Sequence, residues 1–158
     1  MTIRTATIDD AEAIARLIGE HAAYEDAPDQ CHTSVDDVRR DGFGARPLFE
    51  VLLAERDGET VGFAMYFEAF SSWEGCTVLF LEDLYVSEHA RGLGLGRKLV
   101  ARLAAIAGER GCPRLDWVVT GDSPARDFYH RLGAEHMETW RFYRLRGANL
   151  RARADEAN

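Results

Sequence analysis

A chain of 158 residues, 46% of them apolar and 29% charged, has the size and composition of one globular domain able to bury its own core. Its formal net charge of −8 argues against the clustered basic surface of a nucleic-acid binder, and no apolar run approaches the roughly 20 residues of a membrane-spanning helix. The start, Met1-Thr2-Ile3-Arg4-Thr5, lacks the features of a secretory signal, so the cytoplasm is the expected compartment, and Cys31, Cys76 and Cys112 predict free thiols rather than disulfides or a zinc site.

Residues 2–6 alternate and predict a first strand. Thr7 or Asp9 then caps a helix on which Ile14, Leu17, Ile18 and His21 or Ala22 recur at helical spacing. A shorter helix is expected over 34–41, ending near Gly42. Phe49 to Glu55 and Thr60 to Phe67 alternate on either side of Asp57-Gly58, which predicts a hairpin. Thr77 to Val86, rich in aromatic and β-branched residues, reads as a long central strand. After Gly92, Gly94 and Gly96 comes a helix carrying Leu99, Val100, Leu103 and Ala107 on one face, stopped by Gly111 and Pro113. Leu115 to Val119 is a buried strand. Ser123-Pro124 opens another helix and Gly133 closes it. A last strand is expected over Thr139 to Leu145, with a frayed tail from Gly147 to Asn158. The hairpin demands antiparallel pairing and the strand–helix–strand segment 77–119 a parallel crossover. The expected fold class is α/β (α+β): a mixed central sheet with helices on both faces, residues 1–146 forming the domain and 147–158 a tail.

The segment Arg91-Gly92-Leu93-Gly94-Leu95-Gly96-Arg97-Lys98 joins a strand to a helix. Glycines there let backbone N–H groups approach phosphate oxygens, the helix N-terminus favours an anion, and three basic side chains add charge. A pyrophosphate suits this turn. The G-x-G-x-x-G dinucleotide fingerprint fails because Arg97 stands at its last glycine, and the Walker pattern fails because Lys98 is followed by leucine.

Arg91-Gly92-Leu93-Gly94-Leu95-Gly96 resembles the [QR]-x-x-G-x-[GA] acetyl-CoA loop of the GNAT superfamily of N-acetyltransferases. Further segments resemble the spermidine/spermine and thialysine acetyltransferases within it. They include Ala23-Tyr24-Glu25, Asp41-Gly42-Phe43-Gly44, Val61-Gly62-Phe63-Ala64-Met65-Tyr66, Phe70-Ser71-Ser72-Trp73, Leu81-Glu82-Asp83-Leu84-Tyr85-Val86, Arg114-Leu115-Asp116-Trp117, Phe128-Tyr129 and Trp140-Arg141. The resemblance implies a single-domain GNAT fold, acetyl-CoA as cosubstrate, a small-molecule amine as acceptor, and a homodimer, with exchange of the strand around Trp140. Charge, the lack of a long apolar run and the histidine spacing separately lead to the expectation of no nucleic-acid, membrane or metal partner.

Residue by residue, it implies that Leu84, Tyr85 and Val86 pair with the pantetheine arm. Arg91, Gly92, Leu93, Gly94, Leu95, Gly96 and Arg97 would hold the pyrophosphate, and Asp122, Ser123 and Ala125 would stand beside the CoA arm. Glu82 corresponds to the active-site glutamate and Tyr129 to the general acid. Tyr24, Glu25, Trp73, Glu82, Asp83 and Trp140 match the amine pocket. The chain departs from the pattern at Ser71, where an aspartate is common, and at Gly121 and Asp122, where tryptophan and asparagine are usual. Loss of a carboxylate at Ser71 weakens polyamine binding and favours a shorter amine.

The residue types suit the chemistry. An alkylamine, pKa about 10.4, is protonated at neutral pH and cannot attack a thioester until a carboxylate such as Glu82 removes a proton. A backbone N–H near Leu84 would stabilise the resulting oxyanion, and Tyr129 would protonate the departing thiolate. An aromatic face such as Trp73 or Trp140 holds an ammonium by roughly 0.5–2 kcal/mol. By strict alternation Asp83 points away from Glu82 unless a bulge turns it. His21, His32, His89, His130 and His136 show no metal-ligand spacing. Two other readings stay open: acetylation of an amino acid or protein amine, and a non-catalytic acetyl-CoA sensor.

Overall fold

The computed structural model of the chain describes residues 1–121 and 123–157. Met1–Thr120 make one compact unit, and the residues from Gly121 onward make a second.

The first unit is a five-stranded sheet in the order β1-β2-β3-β4-β5, formed by Thr2–Thr5, Glu50–Arg56, Glu59–Ser71, Cys76–Val86 and Leu115–Trp117. The first four strands pair antiparallel, and β5 pairs parallel to β4. This is the mixed sheet expected from the hairpin and the crossover. The β2–β3 turn rests on Asp57 and Gly58, both at positive φ (53° and 86°), the backbone that a two-residue turn between twisted strands requires.

One face of the sheet carries α1 (Ala11–Tyr24) and α2 (Val35–Phe43). Ala11, Ile14 and Leu17 of α1 and Val38 of α2 are buried against Val51, Leu53, Phe63, Met65 and Tyr85. A short 3-10 turn, Ile8–Asp10, precedes α1, and the Thr7 N–H donates to the Asp10 carboxylate at 2.8 Å. At the start of α2 the Ser34 N–H likewise donates to the Asp37 carboxylate at 2.9 Å, and Ser34 Oγ accepts from the Asp37 N–H at 3.2 Å. The other face carries α3 (Leu95–Glu109), whose Leu95, Leu99, Leu103 and Ile106 pack on Leu52, Ala54, Ala64, Tyr66, Leu79 and Leu81. Each such leucine contributes about 1.5–3 kcal/mol by leaving water, so the two apolar helix faces clamp the sheet between them.

The second unit holds α4 (Ala125–Arg131) and α5 (Gly147–Asp155). Pro124 is the cap of α4 rather than its first residue, with Ser123 Oγ accepting from the Ala125 N–H at 3.2 Å, and Gly133 ends the helical segment at φ 84°. Two expectations fail here. Residues 139–145 form no strand among the described residues, and Trp140, Phe142, Tyr143 and Leu145 lie exposed, Tyr143 by 88%. Their alternation fits a strand, but a strand also needs a partner to pair with, and no ladder among the described residues includes this stretch. The tail expected to fray is helical instead, built from the good helix formers Ala, Leu and Arg with no buried residue.

Candidate active site

The central strand β4 is irregular at the point that matters. Asp83 lies opposite Met65 and Leu81 opposite Tyr66, so Glu82 is an extra residue, a β-bulge. The bulge inverts the alternation. Leu79 and Leu81 before it and Leu84 and Val86 after it all pack on the α3 side. Glu82 and Asp83 therefore share the opposite face, the one covered by α1, together with Tyr85. Glu82 is exposed there and Asp83 half-buried.

The bulge also lies where β4 loses one neighbour. Its pairing with β5 covers only Leu79, Phe80 and Leu81. Beyond them the backbone direction follows from one hydrogen bond: the Ser87 N–H donates to the Val61 carbonyl at 2.8 Å. In an antiparallel ladder bonded pairs alternate with non-bonded ones, so Gly62–Val86 and Ala64–Leu84 are non-bonded pairs. The N–H and C=O groups of Leu84 and Val86 therefore point away from β3, towards the open edge. An extended ligand carrying amides can pair with such an edge.

The strand leads through Ser87 and a 3-10 turn, Glu88–Ala90, into the glycine segment. Gly92 and Gly94 both stand at φ 77°, and Gly94 is the N-cap of the fifteen-residue α3. A Cβ added at either would meet nothing within 4 Å. What demands glycine is thus the left-handed backbone and not tight packing. Gly96 is inside the helix at an ordinary φ. Leu93, Arg97 and Lys98 are exposed around the turn, whereas Leu95 is buried in the core. The donor set fits a pyrophosphate: free N–H groups at a long helix's N-terminus, open space above two glycines, and cations alongside.

Arg91 is more engaged than the sequence suggests. Its guanidinium lies 4.0 Å over the Tyr24 ring and 5.5 Å from the Tyr85 ring centre, and Nε donates to the Val86 carbonyl at 3.0 Å. Tyr24 closes α1 with its ring 6.2 Å from that of Tyr85, and Glu25 caps the helix, exposed. Burial, with Glu20 nearby, pushes the Tyr85 hydroxyl above its usual pKa despite Arg91. So Tyr24, Asp83, Tyr85 and Arg91 stand on one face of the first unit.

The structure also brings in a residue that sequence reasoning passed over. His21 Nδ1 lies 3.4 Å from Asp83 Oδ1, and its ring stacks on Tyr85 at 5.4 Å and meets Phe63 edge-on at 6.4 Å. The signal was present: a titratable side chain continues the apolar stripe of Ile14 and Leu17.

Of the other expected site residues, Trp73 belongs to the first unit, and Ser123, Ala125, Tyr129 and Trp140 belong to the second. Trp73 stands in the β3–β4 turn, 93% exposed. Cys76 and Asp83 are seven positions apart on β4, about 23 Å along a strand, so this chain does not bring Trp73 to Asp83. Tyr129 is buried on α4, its ring 5.2 Å from that of Phe128. Ser123 and Ala125 open the same helix, and Trp140 is exposed in the second unit. Asp122 lies outside the described residues. Among the described residues no group of three or more His, Cys, Asp or Glu is placed to hold a metal, and no helix is long and apolar enough to cross a membrane.

Comparison with known proteins agrees with this arrangement. The GNAT acetyltransferase family model matches residues 16–134. A thialysine N-epsilon-acetyltransferase of Bos taurus is 36% identical over 165 residues, covering 94% of each chain. The spermidine/spermine N(1)-acetyltransferase-like protein 1 of Homo sapiens is 38% identical over 159 residues, covering 94% of this chain and 23% of that one. Among solved structures, an integron cassette protein from the mobile metagenome of V.cholerae superposes with a TM-score of 0.83 at 28% identity, covering 97% of this chain and 96% of that one. A glycine turn at a helix N-terminus, fed by a bulged strand with one open edge, thus stands inside a match that spans most of the chain: it belongs to the GNAT family of acetyltransferases and is an N-acetyltransferase.

Proposed function

We propose that this N-acetyltransferase moves the acetyl group of acetyl-CoA directly onto the primary amine of a small molecule, with Glu82 as base and Tyr129 as acid. The observation that carries the reading is the bulge at Glu82, which turns two adjacent carboxylates to one face beside the open edge of β4. Family members use acetyl-CoA, and the glycine turn suits its pyrophosphate. The small-amine preference draws support from a relative named for thialysine N-epsilon-acetylation that covers 94% of each chain.

Bound acetyl-CoA supplies the electrophilic acetyl carbon and the leaving thiolate. Gly92 to Arg97 hold its phosphates at the start of α3, and the outward backbone groups of Leu84 and Val86 align its arm. Glu82 and Asp83 attract the ammonium form of the amine, with Tyr24 and Glu25 beside them. Glu82, exposed and so within reach of water, takes the proton that must leave before the nitrogen attacks. As the N–C bond forms and the C–S bond breaks, the Leu84 N–H stabilises charge on the carbonyl oxygen. Tyr129 returns a proton to sulfur, and Ser123 and Ala125 stand by the CoA arm. Proton removal contributes about 10²–10⁴-fold. No covalent enzyme intermediate is required, because the amine is itself the nucleophile.

We propose further that two copies associate through residues 139–145, whose exposed Trp140, Phe142, Tyr143 and Leu145 pair with a second copy as the strand their alternation fits. Trp73 and Trp140 would then reach an amine site only as part of that assembly. A light-scattering mass of one chain overturns this.

The test of the chemistry is CoA release from acetyl-CoA with spermidine, putrescine, thialysine, lysine, a peptide N-terminus and no acceptor. Turnover on a small amine, reduced at least about a hundredfold in Glu82→Gln and Tyr129→Phe, supports the reading. Turnover only on the peptide, or undiminished in both variants, overturns it.

A further inference from the structure

The family assignment gives no role to His21, yet its imidazole approaches the Asp83 carboxylate at 3.4 Å. Nδ1 stands 3.4 Å from Oδ1, with side-chain exposures of 23% and 30%, so the pair is largely shielded from water. The imidazole is fixed from two sides, stacked on Tyr85 of β4 and edge-on to Phe63 of β3. Its position on α1 is held by Leu17 and Ile14, buried one and two turns earlier.

Other charged groups nearby are committed elsewhere. Glu20 pairs with Arg16 and accepts from Ser87 Oγ at 2.6 Å. The Arg91 guanidinium is held by Tyr24, Tyr85 and the Val86 carbonyl. His21 is therefore the one described side chain that engages the Asp83 carboxylate. It takes Oδ1, while Oδ2 has no partner among the described residues.

We infer that His21 sets the acceptor preference of the amine site by occupying one oxygen of Asp83, so that Asp83 offers a single oxygen to substrate. This rests on the small-amine reading above. An amine whose far end carries no net positive charge, as in thialysine, where the distal ammonium stands beside its own carboxylate, is held by Glu82 and is little affected. An amine with a second ammonium that no carboxylate of its own neutralises, as in spermidine, needs Asp83 as a full anionic partner and meets the imidazole in competition for it. His21 acts through Asp83 and is a positioning residue that narrows the site towards acceptors whose far end carries no net positive charge.

The experiment measures kcat and KM for spermidine and for thialysine in the wild-type chain, His21→Leu, Asp83→Asn and the double variant. Spermidine binding by calorimetry is measured alongside, and far-ultraviolet circular dichroism checks folding. In His21→Leu the KM and Kd for spermidine fall about fivefold, the upper end for one partly exposed polar contact to a carboxylate. KM for thialysine stays within about twofold, and kcat on both is unchanged. In the Asp83→Asn background the His21 substitution has no effect on either amine. Asp83→Asn, nearly isosteric, raises KM and Kd for spermidine more than for thialysine, which keeps the inference testable if His21→Leu folds poorly. Equal shifts for both amines, an unchanged spermidine Kd, or the same shift without Asp83 would each overturn it. Failure of the wild type to acetylate either amine overturns the small-amine reading, and the binding measurements still judge the role of His21.

Discussion

Gly62→Ala tests the path of the β4 edge directly. Gly62 lies on β3 opposite Val86, and a Cβ built there stands 2.8 Å from the Tyr85 carbonyl oxygen, 3.2 Å from Val86 Cγ2 and 3.3 Å from Val86 Cα. The nearest atom is backbone, so no rotamer change relieves it; the two strands must part. Overpacking of this kind costs about 1–3 kcal/mol, partly offset by the roughly 0.5–1 kcal/mol that alanine gains over glycine from the unfolded chain. A net loss of about 1–2 kcal/mol lowers Tm by roughly 3–8 °C in a chain of this size. The atoms pushed belong to the segment whose outward groups are assigned to the acetyl-CoA arm, so KM for acetyl-CoA rises as well. Gly19→Ala is the control. Gly19 is inside α1, where an added Cβ meets nothing within 4 Å, and alanine there raises Tm by a few degrees. Thermal scans by circular dichroism and a CoA-release assay read both effects. A Gly62→Ala protein that melts at or above the wild-type temperature would refute the close approach and the edge geometry drawn from it.

Acid should weaken the anchor of β1. Asp10 accepts both guanidinium nitrogens of Arg4 at 2.7 Å, and that bonding, with the Thr7 N–H, draws its carboxyl from the ordinary 3.8 down to about 2. A depressed folded pKa gives stability that is complete above about 4 and lost as pH falls towards 2. After allowance for the half-exposed Arg4 this is about 1–2 kcal/mol. Urea unfolding across that window should show the loss, and Arg4→Met should lack most of it; equal acid sensitivity in both would count against the pair. Arg110 makes a bidentate contact with Glu50 at 2.6 and 2.8 Å and reaches Glu68 at 2.9 Å, which holds the Glu50 carboxyl below its usual range. Arg110→Met removes the partner that favours the Glu50 carboxylate, so it should cost about 1 kcal/mol near neutral pH and less as acid protonates Glu50. The same loss at both pH values would argue that Arg110 acts only by packing.

Features that one short segment determines were legible in the sequence. Asp57-Gly58 supplies two residues that tolerate positive φ, and the hairpin follows wherever β2 and β3 sit. The segment Gly92 to Gly94 likewise announces a left-handed turn at a helix start. Features set by a partner strand were not. Residues 139–145 have the alternation of a strand, but pairing is a property of two segments, and no ladder among the described residues includes this one. His21 looked like the continuation of an apolar stripe until the position of Asp83 was known.

Asp83 is the sharpest case, because one residue of register decides the chemistry of the site. Alternation alone places Glu82 and Asp83 on opposite faces of β4, where one carboxylate would be driven into the leucine-lined core under α3, at a cost of several kcal/mol unless paired. The apolar pattern of β4 breaks phase between Leu81 and Leu84, but it does not say how the backbone absorbs the break. The extra residue appears only in the register with β3, where Met65 faces Asp83 and the next residue, Tyr66, faces Leu81. The bulge removes the conflict by keeping Leu79, Leu81, Leu84 and Val86 all on the α3 side, and the apolar pattern on both flanks demands that outcome. The two acidic side chains are thereby left side by side on the face that α1 covers, next to the edge that β5 abandons after Trp117. Packing of apolar residues thus fixes the placement of the charges, and the carboxylates sit together because the leucines around them cannot be parted.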